Sequence, residues 1–216
     1  MQPTPPATYP VQFSVQYPDR PLDRLTTGLR IFTAIPIAIL LGTVTGATWN
    51  SAATNGHTTT TQVALGAGGL LFLGPLLMIV FRQKYPRWWF DWNLELLRFI
   101  NRVGVYLALM DDHYPSTDER QSVQLDFPYP DVPNDLNRWL PIVKWLLAIP
   151  HYIVLFFLEI AAFVCVIIAW FAILFTGTYP RELFTFVEGV IRWHNRVIAY
   201  AFILVTDLYP PFSFAP

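Results

Sequence analysis

Charged residues are missing from two long tracts of this chain. No Asp, Glu, Lys or Arg lies between Arg30 and Arg82, and Glu159 is the one charged residue between Lys144 and Arg181. Two tracts of this length with at most one charged residue are typical of membrane-embedded helices and do not suit the core of one small soluble domain. The pattern therefore predicts an integral membrane protein.

The two tracts predict four transmembrane helices arranged as two hairpins. A stretch rich in Thr, Asn and Gly divides the first tract into two apolar runs, each near the minimum of about 17 residues that crosses a membrane. The second tract is too long for one crossing, so we place a turn near Glu159. No Gly or Pro between Pro150 and Gly177 marks that turn, but two crossings keep the basic residues on one side of the membrane. The predicted spans are 31–47, 63–81, 141–158 and 160–176.

Each predicted hairpin is followed by Tyr-Pro-Arg and a segment with helical periodicity, at 87–110 and 181–205. Five charged or polar residues of each segment fall within an arc of about 80°, and most of the remaining circumference is apolar. They are Arg87, Asp91, Glu95, Arg98 and Arg102 in the first segment and Arg181, Thr185, Glu188, Arg192 and Arg196 in the second. This pattern predicts two amphipathic helices in the membrane interface. Two further spans whose polar stripes face each other are the alternative.

Short segments before the hairpins alternate apolar and polar residues, as strands do. They are Val11–Tyr17 and Val123–Tyr129, and we predict that they pair with each other. The predicted fold is thus an all-α membrane protein with two tandem transmembrane helical hairpins, each preceded by a short extended segment and followed by an interfacial amphipathic helix.

The same motifs occur twice in the same order. VQFSVQYPD at 11–19 matches VQLDFPYPD at 123–131, and the Arg-x-x-Asn-Arg-Val motif at 98–103 recurs at 192–197. So many ordered matches predict a tandem duplication, with about twenty extra residues of the first unit at 47–62. The predicted organisation is a disordered tail (1–7), repeat unit 1 (8–115), a linker (116–122) and repeat unit 2 (123–216).

The composition narrows the class of protein. Apolar residues make up 54% of the chain and charged residues 13%, and the net charge is −1, which excludes nucleic-acid binding by a basic surface. Cys165 is the one cysteine, which excludes a disulfide framework and a metal site built from cysteines.

No familiar catalytic or phosphate-binding motif occurs in the chain. Glu159 is a candidate proton or ion ligand, although a turn residue is the favoured interpretation. Asp111, Asp112 and His113 form a candidate cation site, but the polar end of a helix explains them better. His151 lacks a second histidine for a haem site. We therefore predict no catalytic residues, no cofactor and no metal.

Three stretches of the second unit carry a family resemblance. RWLPIVKWLLAIPHYIVLFF (138–157), IIAWFAILFTGTYPRELF (167–184) and RVIAYAFILVTDLYPPFS (196–213) resemble the bacterial integral membrane proteins of domain-of-unknown-function family 4389. The first unit is less similar. The resemblance implies a bacterial membrane setting and implies no activity.

Four arginines are the predicted binding residues. Arg98 and Arg102, like Arg192 and Arg196, lie four residues apart on one helix face. Each arginine can gain about 1 kcal/mol from an anionic leaflet, against about 0.2–0.5 kcal/mol from pairing with a glutamate on its own helix. We predict that these four side chains bind anionic lipid or a partner subunit.

The predicted function is that of a non-enzymatic integral membrane scaffold or accessory subunit, which binds other membrane proteins or itself. A membrane-shaping protein of reticulon-like topology is one alternative, and a transporter or channel built on a parallel repeat is another. The predicted location is the bacterial inner membrane, with several crossings and both termini in the cytoplasm.

Overall fold

The computed structural model describes residues 9–45, 67–117, 119 and 121–216. The predicted tail at 1–7 and the extra residues at 47–62 lie outside these ranges. The described elements, in chain order, are β1 (Gln12–Val15), α1 (Arg24–Gly28), α2 (Arg30–Thr33), α3 (Ile35–Thr45), α4 (Ala67–Arg82), α5 (Arg87–Leu107), β2 (Val123–Asp126), α6 (Val132–Asp135), α7 (Leu140–Leu147), α8 (Ile149–Thr176), α9 (Arg181–Ile198) and a π-helix (Ala199–Ile203).

Strands β1 and β2 form a two-stranded antiparallel sheet, so the predicted pairing of the two extended segments is confirmed. Phe13 lies opposite Leu125, and both side chains are buried. The alternate residues, Gln12 and Ser14 on β1 and Gln124 and Asp126 on β2, are exposed. The sheet therefore has one apolar face towards the protein and one polar outer face.

Helices α5 and α9 lie between this sheet and the remaining long helices. The sheet packs on both of them, and on the other side α5 contacts α3 and α9 contacts α8. Neighbouring residues show the two directions: Arg98 bonds to β2 while Phe99 packs with Ile37 of α3. The predicted helical segments are thus present, and most of their apolar residues are buried inside the protein. Their location in a membrane interface stays a prediction.

Six of the remaining helices form what we name the apolar layer: α1 to α4, α7 and α8. Each of them contacts another member of the layer. Their outward side chains are large and apolar, including Ile31 and Phe81, which are 79% and 70% exposed. Twelve such side chains lie on α8: Ile149, Ile153, Val154, Phe156, Phe157, Ile160, Phe163, Val164, Ile167, Ile168, Phe171 and Phe175.

Helix α8 runs without a break through Glu159, so the predicted turn and the two spans 141–158 and 160–176 are wrong. No Gly or Pro interrupts the sequence after Pro150 until Gly177, whose φ of 79° ends the helix. Among the described residues, Leu140–Thr176 alone is long and apolar enough to cross a membrane. The described parts of the first two predicted spans are shorter apolar helices, so two hairpins with four spans are not found among the described residues.

Matching residues of the two predicted units face each other at two places. Phe13 pairs with Leu125 in the sheet, and the side-chain amides of Asn101 and Asn195 bond to each other, each donating to the other's oxygen. An approximate two-fold axis therefore runs from the sheet, between α5 and α9, towards the apolar layer.

The π-helix explains a small irregularity of the two matching sequences. Arg87 begins α5 and Arg181 begins α9. The left-handed residues that follow the two helices, Leu109 and Leu204, are one position further apart in the chain than Arg87 and Arg181 are. A π-helix accommodates one extra residue without breaking the helix. The turn at Ala199–Ile203 thus absorbs this insertion.

Candidate functional site

Arg98 and Arg192, two of the four predicted binding residues, bond to the sheet. The Nε of Arg98 donates to the carbonyl oxygen of Leu125 at 2.9 Å, and the Nε of Arg192 donates to that of Phe13 at 2.9 Å. Each guanidinium also pairs at 2.6 Å with a glutamate of its own helix, Glu95 or Glu188. The helix of each predicted unit thus holds the strand of the other unit.

Arg102 and Arg196 bond to the segments that follow their helices. Arg102 donates to the carbonyl oxygen of Ser116 at 2.9 Å, and Arg196 donates to that of Ala215 at 2.8 Å. Arg196 is only 1% exposed, and burial lowers the pKa of its guanidinium, as does the positive charge of Arg192. Binding of lipid or a partner by these four arginines stays a prediction; in this structure they hold the backbone together.

Two buried cations occupy matching positions at the start of the apolar tracts. Arg30 donates to the carbonyl oxygens of Tyr106 and Asp111, at 3.0 and 2.6 Å. Lys144 donates to the carbonyl oxygen of Thr206 at 2.7 Å and pairs with Asp207 at 2.6 Å. Arg30 thus binds the end of α5 and the chain after it, and Lys144 binds the chain that follows α9 and the π-helix. Both cations are buried, and neither faces the outer surface.

A polar pair lies at the edge of the apolar layer. Glu159 of α8 and His194 of α9 approach to 2.7 Å, and both side chains are about half exposed. A groove of about 430 Å³ beside them is lined by apolar side chains, among them Leu155, Phe156 and Phe202. The second carboxylate oxygen can accept a hydrogen bond, and Nε2 of the imidazole can take part in another. An apolar groove with one such pair is suited to a partner that brings a polar group.

The structure explains His151 as a core residue. It is fully buried, its Nδ1 accepts a hydrogen bond from Trp193 at 3.1 Å, and its ring stacks on Phe212 at 4.0 Å. These contacts join α8, α9 and the C-terminal segment. The sequence alone showed only that no second histidine accompanies it.

The comparisons with known proteins identify one segment. Residues 140–213 match a family described as a domain of unknown function, DUF4389. This segment resembles DUF4389. The predicted resemblance is thereby confirmed for residues 140–213. No curated protein and no solved structure is detectably similar to the chain.

The DUF4389 segment contains α7, α8, α9 and the π-helix. It therefore includes the Glu159–His194 pair, the Lys144–Asp207 pair and two of the four arginines. Sheet strand β2 precedes it. The segment brings no activity with it, so the functional argument rests on the surfaces that it presents.

The acidic cluster Asp111–Asp112–His113 lies outside the DUF4389 segment and has the right atoms for a cation. Its carboxylates are already bonded, because Asp112 pairs with Arg20 at 2.6 Å and Asp111 accepts from Ser122 and His113. Burial acts to raise the pKa of Asp111, but these hydrogen bonds outweigh it and hold that pKa below its usual value. The contacts agree with the helix-end interpretation.

The substitution Asp111→Asn is expected to lower the free energy of unfolding by about 1 kcal/mol at pH 7. Because the folded pKa lies below the usual value, this stabilisation is complete above about pH 4 and is lost as the pH falls through the folded pKa. Unfolding curves in detergent from pH 7 to pH 2 measure it. The exposed Asp91→Asn is the control, and an equal pH dependence in both variants would contradict the prediction.

Two contacts of the site were not predicted. The Arg-x-x-Asn-Arg-Val motif indicated that Asn101 and Asn195 match, but only the fold brings their amides together. The Glu159–His194 pair depends on α8 being continuous, which the sequence analysis rejected. The missing Gly and Pro around Glu159 were the signal that favoured this continuity.

Proposed function

We propose that the chain is a non-enzymatic membrane scaffold or accessory subunit, which binds other membrane proteins or a second copy of itself. The exposed apolar layer carries the proposal. Only 11% of the most apolar part of Leu140–Thr176 is buried, so this helix differs from the core helix of a soluble protein. A surface of this kind requires lipid or protein around it.

The ionisable groups support a structural interpretation. Arg192 pairs with Glu188, Lys144 pairs with Asp207, and Asp112 pairs with Arg20, all at 2.6 Å. Groups with such fixed partners hold the fold and are poorly suited to proton transfer or nucleophilic attack. The absence of a catalytic function and of a cofactor is therefore part of the proposal.

We propose that the partner binds at the Glu159–His194 pair. At the edge of an apolar surface, a polar pair gains specificity when a partner completes its hydrogen bonds. The tandem duplication, the bacterial inner membrane and the cytoplasmic termini belong to the proposal as well. The reticulon-like alternative receives less support, because α8 continues without a turn through Glu159.

Size measurement in native lipid nanodiscs, extracted directly from membranes, tests the scaffold proposal. The wild-type chain is expected in a stoichiometric complex with another protein or with itself. The double change Glu159→Gln and His194→Gln is expected to weaken that complex at least tenfold, which corresponds to about 1.4 kcal/mol. Glu182→Gln, an exposed change elsewhere on α9, should leave it intact. A wild-type chain that is monomeric in its own membrane contradicts the proposal.

A further inference from the structure

We infer that the apolar layer lies flat in one leaflet of the membrane, with α8 parallel to the membrane plane, and that the chain does not cross the bilayer. The occupant of the exposed apolar surface is then the acyl chains of that leaflet. This inference rests on the membrane location in the proposed function, and it specifies the surface that meets the lipid.

The order of the layers gives the first argument. The sheet exposes Gln12, Ser14, Gln124 and Asp126 on one side of the molecule, and the apolar layer exposes its phenylalanines on the other. Helices α5 and α9 lie between them. Polarity therefore changes along the direction in which the layers are stacked, which is the direction that has to coincide with the membrane normal.

If α8 spanned the membrane, the direction in which the layers are stacked would lie in the membrane plane. The sheet would then lie at bilayer depth with its polar face towards lipid, and the Asp126 side chain is 77% exposed there. A flat α8 leaves this polar face in water.

The contacts at the two ends of α8 give the second argument. Its C-terminal end meets the start of the first unit, since Leu22 donates to the carbonyl oxygen of Gly177 at 2.8 Å. Arg138, just before α7, donates to the carbonyl oxygen of Val80 at the end of α4. The helices of the first unit thus begin where α8 ends, and end where the α7–α8 segment begins. The helices of the first unit and the α7–α8 segment therefore run in opposite directions. Helices related by a two-fold axis run in this way when they lie in a plane normal to that axis.

The position of Glu159 on α8 agrees with this orientation. The fully buried residues His151, Leu155, Ala169 and Ile173 form one stripe, and Glu159 lies about 60° from its centre. Phe157, Phe171 and Phe175, which are 64%, 50% and 78% exposed, lie about 140–180° from that centre. In a flat helix Glu159 is thus near the level of the headgroups, whereas in a spanning helix it would lie at bilayer depth.

Site-directed labelling of the full chain tests the inference. In a Cys165→Ser background, single changes Asn134→Cys and Thr178→Cys place thiols before and after Leu140–Thr176, and Ser14→Cys places one on the sheet. An impermeant maleimide is applied to intact cells and to inverted membrane vesicles. All three thiols are expected to react from the same side. Reaction of Asn134→Cys and Thr178→Cys from opposite sides overturns the inference.

A depth measurement separates lipid from protein as the occupant. Fluorophores at Phe157→Cys, Val164→Cys and Phe171→Cys, which lie seven residues apart on the same exposed side of α8, are quenched by lipids that carry nitroxides at known depths. A flat α8 predicts equal depths, whereas a spanning helix separates the first and last by about 21 Å along its axis. Unequal depths, or no quenching at any of the three, overturn the inference. Partner binding enters neither measurement, so the scaffold proposal can fail separately.

Discussion

Replacing Arg192 with Ala is expected to lower the free energy of unfolding by about 3–5 kcal/mol, as removal of one partner of a buried ion pair does. The side chains of Arg192 and Glu188 are only 9% and 14% exposed. The variant leaves the carboxylate of Glu188 without its cation, and it leaves the carbonyl oxygens of Phe13 and Phe214 without their donor.

The matching change Arg98→Ala is the control for this prediction. Its ion pair with Glu95 is more exposed, at 29% and 56% of the two side chains, so solvent screens much of its energy. We expect a loss of about 1–2 kcal/mol, most of it from the bond to Leu125. Denaturant unfolding in the same detergent compares the two variants. Equal losses would show that burial does not determine the difference.

Opening the chain between Thr117 and Gln121 is expected to give two pieces that fold only together. The first piece contributes β1 to α9 of the second, and the second contributes β2 to α5 of the first. Each piece alone exposes the apolar side of its helix where the partner strand belongs. Expressed together, the pieces should purify in equal amounts with the thermal stability of the intact chain. Expressed separately, each should aggregate.

An opening between Ile160 and Ala161 is the control for the split chain. It interrupts the continuous helix α8, whose hydrogen bonds cross that point, so the pieces should not reassemble. For the chain opened between Thr117 and Gln121, a first piece that is folded and monomeric without the second piece would contradict the exchange of strands between the two units.

The sequence predicted the elements better than their surroundings. The starts of α5 and α9, the paired strands and the apolar tracts follow from local periodicity, which the fold preserves. The burial of α5 and α9 was missed, because an apolar arc looks the same whether lipid or protein covers it. The sequence predicts that the four arginines bind anionic lipid or a partner subunit, and it does not show the backbone carbonyl groups to which they donate.

The turn predicted in α8 failed for an identifiable reason. The charge pattern was taken to require an even number of crossings, and this outweighed the absence of Gly and Pro between Pro150 and Gly177. A helix that lies in the membrane plane keeps all basic residues on one side with no turn at all. The local backbone signal was therefore the more reliable of the two.

The exchange of strands has a consequence for the order of events during synthesis. The hydrogen bond between Phe13 and Arg192 cannot form until a further 179 residues have been synthesised, and β1 cannot pair until Val123–Asp126 of β2 has been made. At about 5–20 residues per second, this delay is roughly ten seconds or longer. During that time the first strand has open edges and α5 lacks its cover. With the proposed membrane location, contact of the nascent apolar helices with the bilayer would cover them during this interval, and delivery to the bilayer and folding would then be coupled in time.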